Sequence, residues 1–190
     1  MKDLTMPVNE SIPPFPGDPE LKVKQLTTIS KDGSNTKRIS INSHFSTHID
    51  APFHMFEDGK KLEEIPIETF IGEAIVLEID NPDISKVKER DIVFFYTGKS
   101  ENIDSNYFKN TPTISEQDAM KLIKKKVKII GVDSSTIDSK YTVHDLFLKK
   151  GILLVENLVN LKEFIGKRFQ CVIAPLKLKE DGAPCRVFAL

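Results

Sequence analysis

The sequence predicts a single α/β domain in which a mixed sheet carries only a few helices. Three observations lead there. Short β-branched and apolar runs recur along most of the chain, and one strand–helix–strand succession stands past its middle. No repeat, low-complexity tract or Ser/Gly linker divides residues 1–190, so the domain is expected to span all of them. A length of 190 residues with 39% hydrophobic side chains fits one domain with its own core.

The elements follow in order. Leu21–Ile29 and Thr36–Ser43 are rich in alternating and β-branched residues, and Lys31-Asp32-Gly33-Ser34-Asn35 between them supplies turn chemistry, so this stretch reads as a hairpin. Ala74–Ile79 is a buried strand stopped by Asn81-Pro82-Asp83, and Asp91–Thr97 is a strand ended by Gly98. Ser115 stands at a helix N-cap with Asp118 three residues on, a capping-box pattern, and Ala119, Leu122 and Ile123 share one helical face. Val127–Val132 then reads as a strand, which implies a local parallel crossover. His144–Lys150 reads as a short helix closed by Gly151. Ile152–Val155, Arg168–Ala174 and Cys185–Ala189 complete the strands.

Charge and composition exclude several functions. Lys and Arg number 27 against 28 Asp and Glu, a net charge of −1, which removes the basic footprint of a nucleic-acid binder and any recruitment to membranes by charge. No run approaches the roughly 20 apolar residues of a membrane span. Met1–Phe15 carries Asp3, Glu10 and three prolines before any apolar run, so no signal peptide is expected there. Cys171 and Cys185 are too few for a disulfide framework and read as reduced thiols of a cytoplasmic protein.

Chemistry concentrates in one segment. Three of the four histidines fall in Ser43-His44-Phe45-Ser46-Thr47-His48-Ile49-Asp50-Ala51-Pro52-Phe53-His54. His44, His48, Asp50 and His54 offer the nitrogen and oxygen donors that borderline divalent metals take. All four occupy even positions, which an extended chain would project to one side, but Pro52 rules out a continuous helix and favours an irregular loop that folds these groups inward. Glu156 abuts the apolar run Ile152-Leu153-Leu154-Val155, where a carboxylate is costly unless paired or ligated, and His144 lies upstream of it. The inventory is large enough for two metal ions sharing a carboxylate.

These residues carry a resemblance. The segment from His44 to His54 resembles the HxGTHxDxPxH signature of the cyclase family, which includes bacterial kynurenine formamidases and isatin hydrolases. Pro14-Phe15-Pro16-Gly17-Asp18-Pro19 resembles that family's aromatic-Pro-Gly-Asp segment, and Val127–Asp133 with Ser134-Ser135 resembles its Val-Gly-Ile-Asp strand and loop. His144 followed by Glu156-Asn157-Leu158, then Ala174-Pro175-Leu176 and Gly182-Ala183-Pro184-x-Arg186-Val187, resemble its distal signatures. The resemblance implies a swivelling β/β/α fold in an oligomeric protein, a homodimer or tetramer. It implies that His44, His48 and Asp50 hold one metal, with His144 on a second and Asp50 and Glu156 bridging. It makes His54 the acid/base and places Phe15 against the substrate. Two departures stand out: the motif glycine is Ser46, and Phe15 replaces the tryptophan of formamidases.

The function expected is therefore metal-dependent hydrolysis of a C–N bond in a small linear or cyclic amide, similar to arylformamidases that act on N-formylkynurenine in tryptophan breakdown. Zn²⁺ is the expected ion and Mn²⁺ the alternative; either lowers the pKa of bound water and so supplies hydroxide near neutral pH. His54 would deliver the proton to the leaving nitrogen, and Thr47 would orient a ligand. The chain has no Gly-x-Ser-x-Gly elbow, which argues against a serine hydrolase, and Cys171 reads as packing. Two other readings stay open: a catalytically inactive metal-binding regulatory protein, and a non-haem Fe(II) oxygenase built on His48, Asp50 and His144. The oxygenase would leave His44, His54 and Glu156 surplus, and Arg168, 24 positions past His144, is the nearest arginine for an oxoacid.

Overall fold

The strands in chain order are β1 (Lys2–Asp3), β2 (Lys22–Thr27), β3 (Thr36–Ser40), β4 (His48–Asp50), β5 (Ile71–Glu78), β6 (Ile92–Tyr96), β7 (Ile129–Val132), β8 (Leu153–Glu156), β9 (Arg168–Pro175) and β10 (Gly182–Ala189). The helices are α1 (Ile29–Asp32), α2 (Glu116–Lys124) and α3 (Thr142–Leu148). They come from a computed structural model that describes residues 1–104 and 106–190. Eight strands form one sheet in the order β1-β10-β4-β8-β7-β6-β5-β9, and a further β9–β10 pairing closes it into a barrel with β1 on its flank. β5, β6, β7 and β8 run parallel, and the remaining pairs are antiparallel.

The parallel strands read as unbroken apolar runs because both of their faces are covered. On β5 and β6, Ala74, Val76, Ile92 and Phe94 point into the barrel, while Ile75, Leu77, Val93 and Phe95 point out under the helices. Ile129, Leu153 and Val155 continue the inner set, and Ile130, Val132 and Leu154 continue the outer one. Ala119 and Leu122 of α2 and Phe147 of α3 cap that outer layer. The Ser115 hydroxyl accepts from the Asp118 amide, as a capping box requires. The crossovers β6–α2–β7 and β7–α3–β8 both join parallel neighbours, so the expected local crossover is present and repeated. α3 begins two residues before the expected start, and Gly151 takes φ 71° just beyond it.

One expectation changes. The histidine segment is not wholly irregular: His48–Asp50 is a strand paired on both sides, to β8 and to β10, and only its flanks are loop and a 3₁₀ turn. Its neighbours impose the extended form, since backbone groups buried between two strands must be paired. The hairpin β2–β3 forms as expected, with α1 as its connection, but it buries no side chain against the barrel.

Candidate metal centre

Pleating decides where the chemistry sits. Ile49 of β4 and Val155 of β8 point into the barrel, so His48, Asp50 and Glu156 point outward, and His48 lies directly across from Glu156. This is the carboxyl end of the parallel strands, the usual place for a ligand in such sheets. Loops after β6 and β7, the start of α3 and the proline-rich N-terminal segment roof it over. They enclose a cavity of about 450 Å³ whose walls include Phe15, Tyr107, Phe108 and Ser135.

All five expected ligands converge there. Single donor atoms of His44, His48 and Asp50 lie within 4.8 Å of one another, and the same holds for Asp50, His144 and Glu156. Asp50 belongs to both groups, which suits a shared carboxylate. Glu156 faces His48 with one oxygen at 3.6 Å and His144 with the other at 3.2 Å. His48, Asp50, His144 and Glu156 are all buried.

The hydrogen-bond network fixes which nitrogens are free. The Ser46 carbonyl lies 2.8 Å from His48 Nδ1, and a carbonyl only accepts, so Nδ1 carries the hydrogen. His48 Nε2 is then left facing the Asp50 carboxylate at 3.3 Å and that of Glu156 at 3.6 Å. A lone pair pointed at two buried anions is repulsive unless a cation stands between them. His144 repeats the pattern: Asp138 takes its Nδ1, and Nε2 faces Glu156. This donor set, turned inward on one point and buried, fits a divalent ion.

Without an ion, protons fill that place. Burial disfavours charge on His44, yet bonds to Asp50 and Asp181 hold the imidazole cationic and raise its pKa to about 9. Burial also opposes charge on His144, and Asp138 and Glu156 raise it to about 10. Burial alone would raise Asp50, but His48 and His44 beside it hold its carboxyl well below the usual range. A metal ion entering at neutral pH therefore displaces protons.

His54 stands at the edge of the same cavity. Its ring lies 4.1 Å from that of His44, and its Nδ1 is 3.3 Å from Asp181 Oδ2. The same carboxylate oxygen takes His44 Nε2 at 2.7 Å. Sequence reasoning missed Asp181 and Asp138. Asp181 precedes the Gly182-Ala183-Pro184 motif, and Asp138 caps the start of α3 by accepting from the Val143 amide. Thr47 holds backbone rather than a ligand side chain: it donates to the Asn157 carbonyl at 2.5 Å and accepts from the Met6 amide at 2.8 Å. Ser46 adopts φ 59°, a left-handed value that glycine takes freely, and its hydroxyl donates to the Met6 carbonyl. Phe15 lines this chain's own cavity and packs edge-on against Phe108 with ring centroids 5.8 Å apart. Cys171 and Cys185 are free and buried, and burial pushes the Cys171 thiol up to about 12.

Known proteins resemble this chain in sequence and in fold. The family model described as "Putative cyclase" matches residues 2–139. The kynurenine formamidase of Bacillus cytotoxicus is 30% identical over 197 residues, covering 97% of this chain and 94% of its own. A structure described as a predicted metal-dependent hydrolase from Bacillus stearothermophilus is 28% identical, with a TM-score of 0.83 over 99% of this chain and 96% of that one. Isatin hydrolase A from Labrenzia aggregata, at 22% identity, shares the fold with a TM-score of 0.89 over 99% of this chain and 92% of its own. The family match runs through the histidine segment to Asp138, and the longer alignments continue across β8 to β10, so the chain belongs to the cyclase family.

Proposed function

We propose that this chain hydrolyses the C–N bond of a small linear or cyclic amide at a divalent metal centre, in the manner of an arylformamidase. One observation carries the reading: two buried imidazoles have their Nδ1 hydrogens engaged elsewhere and turn Nε2 toward the buried carboxylates of Asp50 and Glu156, with a further histidine at the cavity edge. His44, His48, Asp50, His144 and Glu156 would hold the metal, Zn²⁺ by the donor set and Mn²⁺ as the alternative. When bound, the ion supplies an acidified water and a Lewis acid for the amide carbonyl.

The chain's own groups do the rest. Asp181 can accept from Nδ1 of His54, which leaves Nε2 as the nitrogen to move a proton. His54 takes a proton at Nε2 and returns it to the leaving nitrogen, which amide cleavage requires. Phe15 and Phe108 offer an aromatic wall to a flat substrate, and the relative's name, kynurenine formamidase, supports an aryl formamide as the first to test. Among the described residues lining the cavity none is Arg or Lys, which weighs against an oxygenase that anchors an oxoacid. The proposal includes self-association as at least a homodimer, supported by the β2–β3 hairpin, which leaves Leu26, Ile29 and Ile39 in solvent. Two buried free thiols suit a reducing, cytoplasmic setting. No helix among the described residues is long and apolar enough to cross a membrane.

The test is a hydrolysis screen of aryl formamides, isatin-like lactams and small cyclic amides with Zn²⁺ or Mn²⁺ supplied. Turnover that a chelator abolishes and metal restores is the expected result. A metal-loaded protein that turns over none of them would overturn the hydrolase and favour the inactive regulatory protein.

A further inference from the structure

Tyr141 stands against local preference. It precedes α3 at φ 58° and ψ 8°, in the left-handed region that glycine and asparagine enter easily and bulky side chains rarely do. Among the described residues it is the one aromatic side chain there. Helix capping does not explain the choice. The Tyr141 carbonyl accepts from the Asp145 amide at 2.9 Å, which any residue could do, and its side chain caps nothing. The Val143 amide is served by Asp138 instead, at 2.8 Å. An asparagine would suit both the backbone and the cap better. Burial does not explain the choice either, because the side chain is 47% exposed.

Its surroundings do. Tyr141 and Phe15 are the exposed aromatics among the described residues, and both line the cavity over the candidate metal centre. The rings of Tyr141 and His144 meet with centroids 5.3 Å apart and planes at 60°, an edge contact rather than a stack. His144 turns Nε2 to Glu156 at 3.2 Å, so Tyr141 stands beside the Glu156 half of the centre. His54 stands with His44 and Asp181 on the other half. An edge contact leaves a ring face open, and an open aromatic face on a cavity wall packs against a flat ring. Backbone strain that persists at the rim of a site is a frequent mark of function.

We propose that Tyr141 is a specificity-determining residue whose ring packs against the aromatic ring of the bound amide. The proposal rests on the amide reading above and adds a second aromatic contact, on the His144 side, to the one offered by Phe15 and Phe108. The probe is oxindole, an aromatic lactam that resists hydrolysis, with 2-pyrrolidinone as the lactam without the benzene ring. Both are titrated calorimetrically into zinc-supplemented wild-type protein, Tyr141→Phe and Tyr141→Asn. Zinc content and melting temperature are measured on all three.

Loss of one aromatic contact should weaken oxindole about fivefold in Tyr141→Asn, whereas Tyr141→Phe, which keeps the ring, should stay within about twofold of wild type. 2-Pyrrolidinone should bind wild type and Tyr141→Asn alike, or bind neither. Zinc content should be equal in all three, and Tyr141→Asn should melt level with wild type or higher because asparagine suits the left-handed backbone. On any aryl formamide that turns over, Tyr141→Asn should raise KM more than it lowers kcat. Equal oxindole affinity in wild type and Tyr141→Asn, an equal loss in Tyr141→Phe, a matching loss of 2-pyrrolidinone, or no saturable oxindole binding by wild type would overturn the proposal. So would zinc lost with the ring, which would make Tyr141 a support for His144, or a clearly lower melting temperature in Tyr141→Asn, which would make it structural. Amide turnover with oxindole affinity insensitive to Tyr141 would leave the hydrolase standing and remove Tyr141. Ring-dependent oxindole binding without turnover would do the reverse.

Discussion

His54 differs from the other three histidines in what surrounds it. His48 and His144 are buried with Nε2 on the Asp50–Glu156 side, and His44 is clasped between Asp50 and Asp181, whereas His54 has one engaged nitrogen and a more open ring at the cavity edge. A ligand and a proton carrier should therefore separate on mutation. His54→Ala should keep its metal and lose at least the ~10²-fold in kcat typical of a general acid–base group. Metal content and turnover on a responsive formamide, measured together, check this; equal metal loss in His54→Ala and His48→Ala would make His54 another ligand. The candidate ligands were legible in the sequence because histidine is rare here and three of four cluster. Asp181 and Asp138 were not, because they are two among 28 acidic residues and gain their roles only through the fold. Asp181 meets His44 across 137 positions of chain.

A strand of three residues carries two of the five candidate ligands, His48 and Asp50. β4 has Ile49 as its only inward side chain, so its local sequence holds too little alternation to announce a strand. Its neighbours β8 and β10 decide its form, and the even spacing of His48 and Asp50 turns out to be the pleat itself. The parallel strands were legible because burial on both faces leaves long apolar runs. Their partner β10 approaches β4 tightly at Gly182, where a Cβ would stand 2.7 Å from the Ile49 carbonyl oxygen and 2.9 Å from the His44 ring. A backbone carbonyl in a paired strand cannot yield cheaply. Gly182→Ala should cost about 1–3 kcal/mol, as overpacking does, and weaken metal binding through displaced His44. Thermal melts with and without metal test this. Unchanged stability together with unchanged metal affinity would mean that the β4–β10 contact does not position His44.

Across the molecule, the closed sheet separates stability from chemistry. Its interior is apolar, with Phe94, Ile129 and Val155 among the buried side chains, while His48, Asp50 and Glu156 stand outside on β4 and β8 under segments from four parts of the chain. The crossovers could be read from strand–helix–strand order. Closure through β9 and β10 could not, since antiparallel pairing across the barrel leaves no local mark beyond two ordinary strands. The account stands on the outer face holding a metal, and elemental analysis tests that most directly. Protein expressed with Zn²⁺ or Mn²⁺ and then dialysed should retain one or two divalent ions per chain, and His48→Ala and Asp50→Ala, still folded, should lose them. Metal-free wild-type protein, or the same metal content in folded His48→Ala and Asp50→Ala, would contradict the account.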